Sequence, residues 1–265
     1  MSFMVKGNKL SITDVELAQQ IAVAAGKLLL TLREDFSGDL DELRDLGDAN
    51  AQKLIAQLLA EHRPADQVLS EEAVDDSDRL QADRVWIIDP LDGTWEYGEG
   101  RTDWAVHIAL WQRAADDITA AAIYLPATAQ LFSTQLPPVV PAWPATPPKI
   151  VVSRTRPPKN LATIKPQLEQ LLQAANLADT LEILEVGSAG AKTAALLTGE
   201  AQLYIHDGGL SEWDAAAPFA IAKAAGIIVK HADGTELKYN KAEVKLAAVY
   251  LASPKMAEIY EQILL

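Results

Sequence analysis

The chain contains no cysteine. That absence excludes a disulfide scaffold, a thiolate metal site and a cysteine nucleophile. Its four histidines, His62, His107, His206 and His231, are scattered without the short spacings of a histidine metal site, so each is expected to play an ordinary structural part. Basic residues are scarce: 23 Lys and Arg stand against 37 Asp and Glu, for a formal charge of −14. Such a surface repels the backbone of nucleic acid, so no nucleic-acid polymer is expected as a partner. No 18-residue run is uniformly apolar, and no membrane span is expected. Met1–Leu10 is polar, carries two lysines and does not read as a signal peptide. No internal repeat is visible. What remains is 265 residues, 49% hydrophobic and 23% charged, the balance of a soluble globular protein able to bury a core without staples.

Thr13-Asp14-Val15-Glu16 has the form of a capping box, and Leu17, Ile21, Ala24, Ala25, Leu28 and Leu32 follow at helical spacing. This predicts an amphipathic helix over 13–35. A second helix is expected from about Asp48 to His62, with Ala51, Leu54, Ile55, Leu58 and Leu59 on one face and Pro64 as its bound. Glu34–Gly47, acidic and aperiodic, reads as a surface loop. Strand-like segments follow at Gln67–Ser70, Val85–Ile88, Trp104–Trp111, Ile118–Leu125 and Gln130–Thr134, the last two joined by a short turn containing proline. They predict an antiparallel, hairpin-rich sheet behind two helices.

Leu136–Lys149 holds six of the 14 prolines and cannot lie inside a sheet. It marks an expected boundary between two lobes, residues 1–145 and 146–265, with a long hairpin tip as the competing reading. Beyond it, strands and helices alternate: strand 149–153, helix 159–175, strand 181–186, helix 188–197, strand 201–206 and helix 213–225, stopped by Gly226. Strands 227–230 and 245–252 and a terminal helix from Pro254 complete the chain. Alternation of this kind is α/β.

The sharpest local signal is Trp86-Ile87-Ile88-Asp89-Pro90-Leu91-Asp92-Gly93-Thr94. An apolar strand delivers Asp89 at its end, Pro90 breaks the ladder, and Gly93 permits a tight backbone path. Two carboxylates so placed can converge on one point, and hard divalent cations take such oxygen ligands. A strand followed by an Asp-rich turn accounts for the same residues equally well. Ser70-Glu71-Glu72 ends another short strand, and Trp213-Asp214 opens a helix. Taken singly, Glu71 and Glu72 read as a solvated face and Asp214 as a helix cap or first-turn acid. Residues 66–103, however, hold twelve acids and only Arg79, Arg84 and Arg101. That density repels unless solvent or a bound divalent ion neutralises it.

Together, Ser70-Glu71-Glu72, Asp89-Pro90-Leu91-Asp92-Gly93-Thr94 and Trp213-Asp214-Ala215-Ala216-Ala217-Pro218 resemble the three signature segments of the lithium-sensitive, magnesium-dependent inositol monophosphatase superfamily. Val151-Val152-Ser153-Arg154 and Gly187-Ser188-Ala189-Gly190-Ala191-Lys192 narrow the resemblance to its CysQ-type 3′(2′),5′-bisphosphate nucleotidases. The resemblance implies an α/β fold layered α-β-α-β-α, two lobes and a site between them. It implies that Glu71, Asp89 and the Leu91 carbonyl ligate one Mg²⁺, that Asp89, Asp92 and Asp214 ligate a second, and that Li⁺ inhibits. Gly93 and Thr94 would offer main-chain donors to the phosphate, and Thr94 would position the attacking water with Glu71. Asp48, at the expected helix start, matches a family aspartate near that water, and a simple N-cap role is equally open.

The implied reaction is direct hydrolysis of a small phosphate ester, the 3′-phosphate of adenosine 3′,5′-bisphosphate or its sulfated relative, in the cytoplasm. Inositol-1-phosphate or fructose-1,6-bisphosphate is the alternative substrate, and a non-catalytic divalent-cation-binding module is the alternative of another class. A homodimer is left open. Metals also reconcile an acidic protein with an anionic ester, because they invert the local field. Ser188 and Lys192, four residues apart, can share a helix face toward an anion, with Arg154 as a second donor to a distal phosphate. Asp207 falls where inositol-specific relatives carry a substrate-contacting acid. Two departures stand out: the loop before Asp48 lacks the lysine common in the family, and Trp95-Glu96-Tyr97 is bulkier than its usual pattern.

Overall fold

The structure is a computed structural model that describes residues 12–143 and 147–264. The polar start of the chain, Met1–Leu10, therefore lies outside the described residues. Helix α1 (Asp14–Asp35) begins at the expected capping box: Thr13 Oγ1 accepts the Glu16 N–H, and the Glu16 carboxylate accepts the Thr13 N–H at 3.0 Å. By length and composition α1 could cross a membrane, although no 18-residue stretch of it is free of charge. Its apolar residues Leu17, Ile21, Ala25 and Leu29 are instead buried against a sheet.

Helix α2 runs from Leu40 to His62, starting about two turns earlier than its apolar periodicity predicts. Asp39 caps it by accepting the Asp41 N–H at 2.9 Å, and Asp41 and Glu42 sit in its first turn, where the positive end of the helix dipole favours them. The acidity that makes this stretch read as a loop is here a helix-start signal. Asp48 consequently lies inside α2 and is not its N-cap.

The first sheet contains β1 (Gln67–Ser70), β2 (Arg84–Asp92), β3 (Ala105–Gln112), β4 (Asp117–Leu125) and β5 (Gln130–Ser133), in that spatial order. Strands β2 to β5 are antiparallel, as expected, but β1 runs parallel to β2. A parallel neighbour needs a crossover rather than a hairpin, and the acidic stretch between Ser70 and Arg84 supplies it. Side chains alternate across the sheet: Trp86, Ile88 and Ile108 face α1 and α2, whereas Val85, Ile87 and Ala109 face the middle of the molecule.

The second sheet comprises β6 (Lys149–Ser153), β7 (Glu182–Val186), β8 (Leu203–His206), β9 (Ile228–His231) and β10 (Val249–Ala252), in the order β7-β6-β8-β10-β9. The expected strand 245–252 shortens to β10, and Lys245 makes only an isolated bridge to Ser211. Helices α5 (Ala189–Leu197) and α6 (Glu212–Ala224) contribute to a core that draws on both sheets. Helices α4 (Leu161–Ala174) and α7 (Pro254–Leu264) cover the outer face of the second sheet. The layers therefore read α-β-α-β-α. The expected lobe boundary at residue 145 lies outside the described residues; helices from the second half build the layer that both sheets bury.

Gly26 sets the approach of α1 to the sheet. A Cβ there would lie 2.5 Å from Tyr124 Cδ1 and 2.6 Å from Pro126 Cγ. Gly26→Val is expected to destabilise the fold by about 1–3 kcal/mol through overpacking, measured as a lower urea midpoint. An unchanged midpoint would mean that the ring and the proline simply move aside.

Candidate active site

Strand β2 is buried from Val85 to Asp92 and carries the first two carboxylates. Asp89 pairs with His107 and Asp92 with Ala105, so three steps along β2 match two along β3. The extra residue is a β-bulge at Pro90-Leu91, where a proline without an N–H is tolerated. In a regular strand, residues three apart point to opposite faces; the bulge returns Asp89 and Asp92 to a common side. Asp214 arrives from the first turn of α6, held by a capping box in which its Oδ2 accepts the Ser211 N–H at 2.6 Å. The plain first-turn reading and the ligand reading of Asp214 are thus compatible. Carboxylate oxygens of Asp89, Asp92 and Asp214 all lie within 4.8 Å of one another. Glu71 follows Ser70, whose partner is Ile88, so the β1–β2 register sets it beside Asp89. With the three aspartates it lines a cavity of about 230 Å³.

Burial and the charges of Glu71, Asp92 and Asp214 push the Asp89 carboxyl well above the usual range. Its Oδ1 accepts the Leu91 N–H at 3.1 Å, while its buried Oδ2 has no hydrogen-bond partner. Burial and Asp92 raise Asp214, and burial with Asp214, Asp92 and Glu72 pushes Glu71 up to about 7. Asp92 moves the other way: burial opposes its charge, but His107, Lys192 and the Gly190 N–H, 2.8 Å away, outweigh that penalty. Lys192 is itself lowered to about 8 by burial, against the pull of Asp92, Glu96 and Asp214. A buried acid oxygen without a donor, inside a ring of like charges, is an environment that a hard divalent cation relieves. The all-oxygen donor set fits such an ion.

Gly93, with φ of 91°, turns the chain into the short helix α3 (Thr94–Gly98); a Cβ on it would lie 3.1 Å from that of Ser188. Thr94 Oγ1 donates to the Leu91 carbonyl at 3.0 Å. Asp48 reaches Thr94 from within α2, and burial with Glu72 and Glu71 pushes its carboxyl up to about 8. Lys192 lines the cavity, its Nζ donating to the Gly187 carbonyl.

Three residues expected at the site make other contacts. Ser188 is the N-cap of α5, with Oγ accepting the Ala191 N–H at 2.8 Å, and it does not line the cavity with Lys192. Arg154 is held away by Glu96 at 2.9 Å and Asp103 at 2.6 Å. Asp207 accepts the Lys159 N–H at 2.8 Å and is not a cavity residue. The cavity instead recruits Arg156, Trp95 and His206. The sequence does offer two arginines in Ser153-Arg154-Thr155-Arg156, but distant acids decide which one is tied. Burial, Lys192 and Arg156 together push His206 down to about 4.

Residues 11–265 match the inositol monophosphatase family. Over 268 aligned residues the chain is 44% identical to a 3′-phosphoadenosine 5′-phosphate phosphatase from Mycobacterium leprae, covering 94% of this chain and 92% of that protein. It is 30% identical to the 3′(2′),5′-bisphosphate nucleotidase CysQ of Salmonella typhimurium, across 74% of this chain and 79% of that one. The crystal structure of CysQ from Bacteroides thetaiotaomicron superposes with a TM-score of 0.73 at 25% identity, covering 91% of this chain and 97% of that one.

Asp89→Asn removes an ionisable carboxyl from the crowded ring. Metal-free protein carrying it is expected to gain about 0.5–2 kcal/mol of stability, as when a functional site is relieved of strain. Its melting temperature should then respond less to added Mg²⁺ than that of the unaltered protein. Scanning calorimetry with chelator and with Mg²⁺ checks both points. A lower melting temperature in chelator would mean that the Leu91 N–H contact outweighs the repulsion.

Proposed function

The chain belongs to the inositol monophosphatase family and is a phosphatase, and from that premise we propose that it removes the 3′-phosphate of adenosine 3′,5′-bisphosphate with Mg²⁺ as cofactor. One observation carries the choice of substrate: the cavity holding the carboxylates also presents an exposed indole and an untied guanidinium. Trp95 is 44% exposed, and among the described residues no carboxylate pairs with Arg156. An aromatic base and a second phosphate match these two groups, and an inositol monophosphate carries neither. The names borne by the Mycobacterium and Salmonella relatives support the same reading. Such an enzyme would recycle the by-product of sulfate assimilation in the cytoplasm.

Glu71, Asp89, Asp92, Asp214 and the Leu91 carbonyl would hold the cations. Bound there, divalent ions supply positive charge to the phosphoryl oxygens and acidify a water for attack. Thr94, set between the Leu91 carbonyl and Asp48, orients that water together with Glu71, and the main-chain N–H groups of Gly93 and Thr94 face the phosphate. Lys192, its Nζ engaged by the Gly187 carbonyl, offsets the charge of Asp92 and Asp214 at the cavity wall. Arg156, not Arg154, receives the distal phosphate. No covalent nucleophile takes part.

Turnover is expected to cease with chelator, return with Mg²⁺ and fall with added Li⁺, measured as phosphate release. Full turnover in excess chelator would overturn the metal-dependent reading. A charge-assisted hydrogen bond is worth about 1.5–3 kcal/mol, so Arg156→Met should lower kcat/KM for adenosine 3′,5′-bisphosphate by about 10- to 150-fold. Hydrolysis of adenosine 3′-monophosphate, which lacks the distal group, should change less than about threefold. Equal losses on both substrates would place Arg156 in support of the fold rather than at the distal phosphate.

A further inference from the structure

We propose that His107 is the positioning residue that sets the three aspartates around the cation. The proposal rests on reading Asp89, Asp92 and Asp214 as the metal site. It replaces the expectation from sequence that every histidine here is merely structural. His107 lies on β3 and is completely buried. Its main chain pairs with Asp89 at the last regular step before the bulge. Its Nε2 stands 3.1 Å from Asp92 Oδ2, in contact but off the line of a hydrogen bond. Its Nδ1 stands 3.3 Å from the carbonyl oxygen of Trp213, the residue immediately before Asp214. One residue therefore adjoins the segments of all three acids, which come from two strand positions and a helix start far apart in sequence, through its main chain at Asp89 and its side chain at Asp92 and Trp213.

The ring faces an acceptor on each side, a carboxylate and a carbonyl. Asp92 Oδ2 also accepts the Gly190 N–H at 2.8 Å. With that oxygen hydrogen-bonded by Gly190 and abutted by the imidazole, rotation of the carboxylate is restricted and Oδ1 is the atom left to meet a cation. Donors of this kind, one step behind a ligand, set its orientation, and their loss weakens metal affinity by about 10- to 100-fold.

The fold makes specific room for this contact. Gly190 lies over the imidazole: a Cβ built on it would meet Nε2 at 2.3 Å and the Ala105 Cβ at 3.0 Å. The glycine lets α5 come close enough for its N–H to reach Asp92 while the ring passes beneath. A histidine serving only to fill volume would need neither this gap nor a polar neighbour on either side, and a phenylalanine would do as well.

Calorimetric titration of the whole, metal-free chain with Mg²⁺ tests the proposal. Binding by the unaltered protein that is abolished in Asp92→Asn supports the ligand reading; no binding at all by the unaltered protein would overturn that reading and the inference built on it. Given binding, His107→Phe is expected to weaken it by about 10- to 100-fold. His107→Gln, whose amide N–H reaches about as far as Nε2, should restore affinity to within about threefold of the original. His107→Asn reaches only as far as Nδ1 and should behave like the phenylalanine variant. The Gln and Asn pair keeps the comparison available if the Phe variant does not fold. Wild-type affinity in the Phe or Asn variant would reduce His107 to a packing residue and overturn the proposal. Equal losses in Gln and Asn would do the same, since reach to Asp92 would then not matter.

Discussion

Three aspartates with oxygens within 4.8 Å of one another, in a protein of formal charge −14, repel strongly, and much of the surrounding structure answers that repulsion. The answers are unequal. Asp92 is met by His107, by the Gly190 N–H and by the buried charge of Lys192, and its carboxyl stays below the ordinary range. Asp214 has the Ser211 N–H, and Asp89 has only the Leu91 N–H, with one oxygen unpartnered. Compensation is thus built around one acid and withheld from another. A divalent cation suits such an arrangement, and it also lets an acidic protein hold an anionic ester.

Bringing acids from separate segments to one point requires that the middle layer lie close to both sheets. Helix α6 opens its buried stretch with Ala215, Ala216 and Ala217, small enough to fit between them. Gly187 and Gly190 allow the start of α5 to press against Glu96 and His107, where any Cβ would collide. Farther out, Arg79 is almost wholly buried and fully engaged, donating to Asp75, Asn240 and the Lys241 carbonyl. Glu212, at the first position of α6, accepts the N–H groups of Asn240 and Lys241. This network ties the segment after Glu71 to the helix that carries Asp214. A buried arginine is tolerable only with such complete pairing.

The rim of the cavity follows the same logic of partner choice. Arg154 is bound by Glu96 from α3 and by Asp103, and Asp103 also accepts the Gly187 N–H at 2.7 Å. That latch joins α3 to the edge of the second sheet. It commits one arginine to structure and leaves its neighbour Arg156 facing the cavity.

The features legible from sequence alone are those whose physics is local. The capping box of α1 is complete within four residues, and Asp89-Pro90-Leu91-Asp92-Gly93-Thr94 carries the strand end, the missing N–H and the glycine turn that make a bulged acid pair possible. The apolar periodicity of α1 and the alternation beyond Lys149 likewise depend on near neighbours, so element types were readable throughout most of the chain. Where local signals conflicted, the reading failed: acids at the start of α2 look like a loop to a search for apolar period, though they suit a helix dipole. Other features were decided only by tertiary structure. The parallel pairing of β1, the assignment of Arg154 to a latch and Arg156 to the cavity, and the contacts of His107 all depend on groups in other elements of the chain. Hydrogen bonds and ion pairs choose partners by distance in space, and until the chain folds that distance is not a property of the sequence around them.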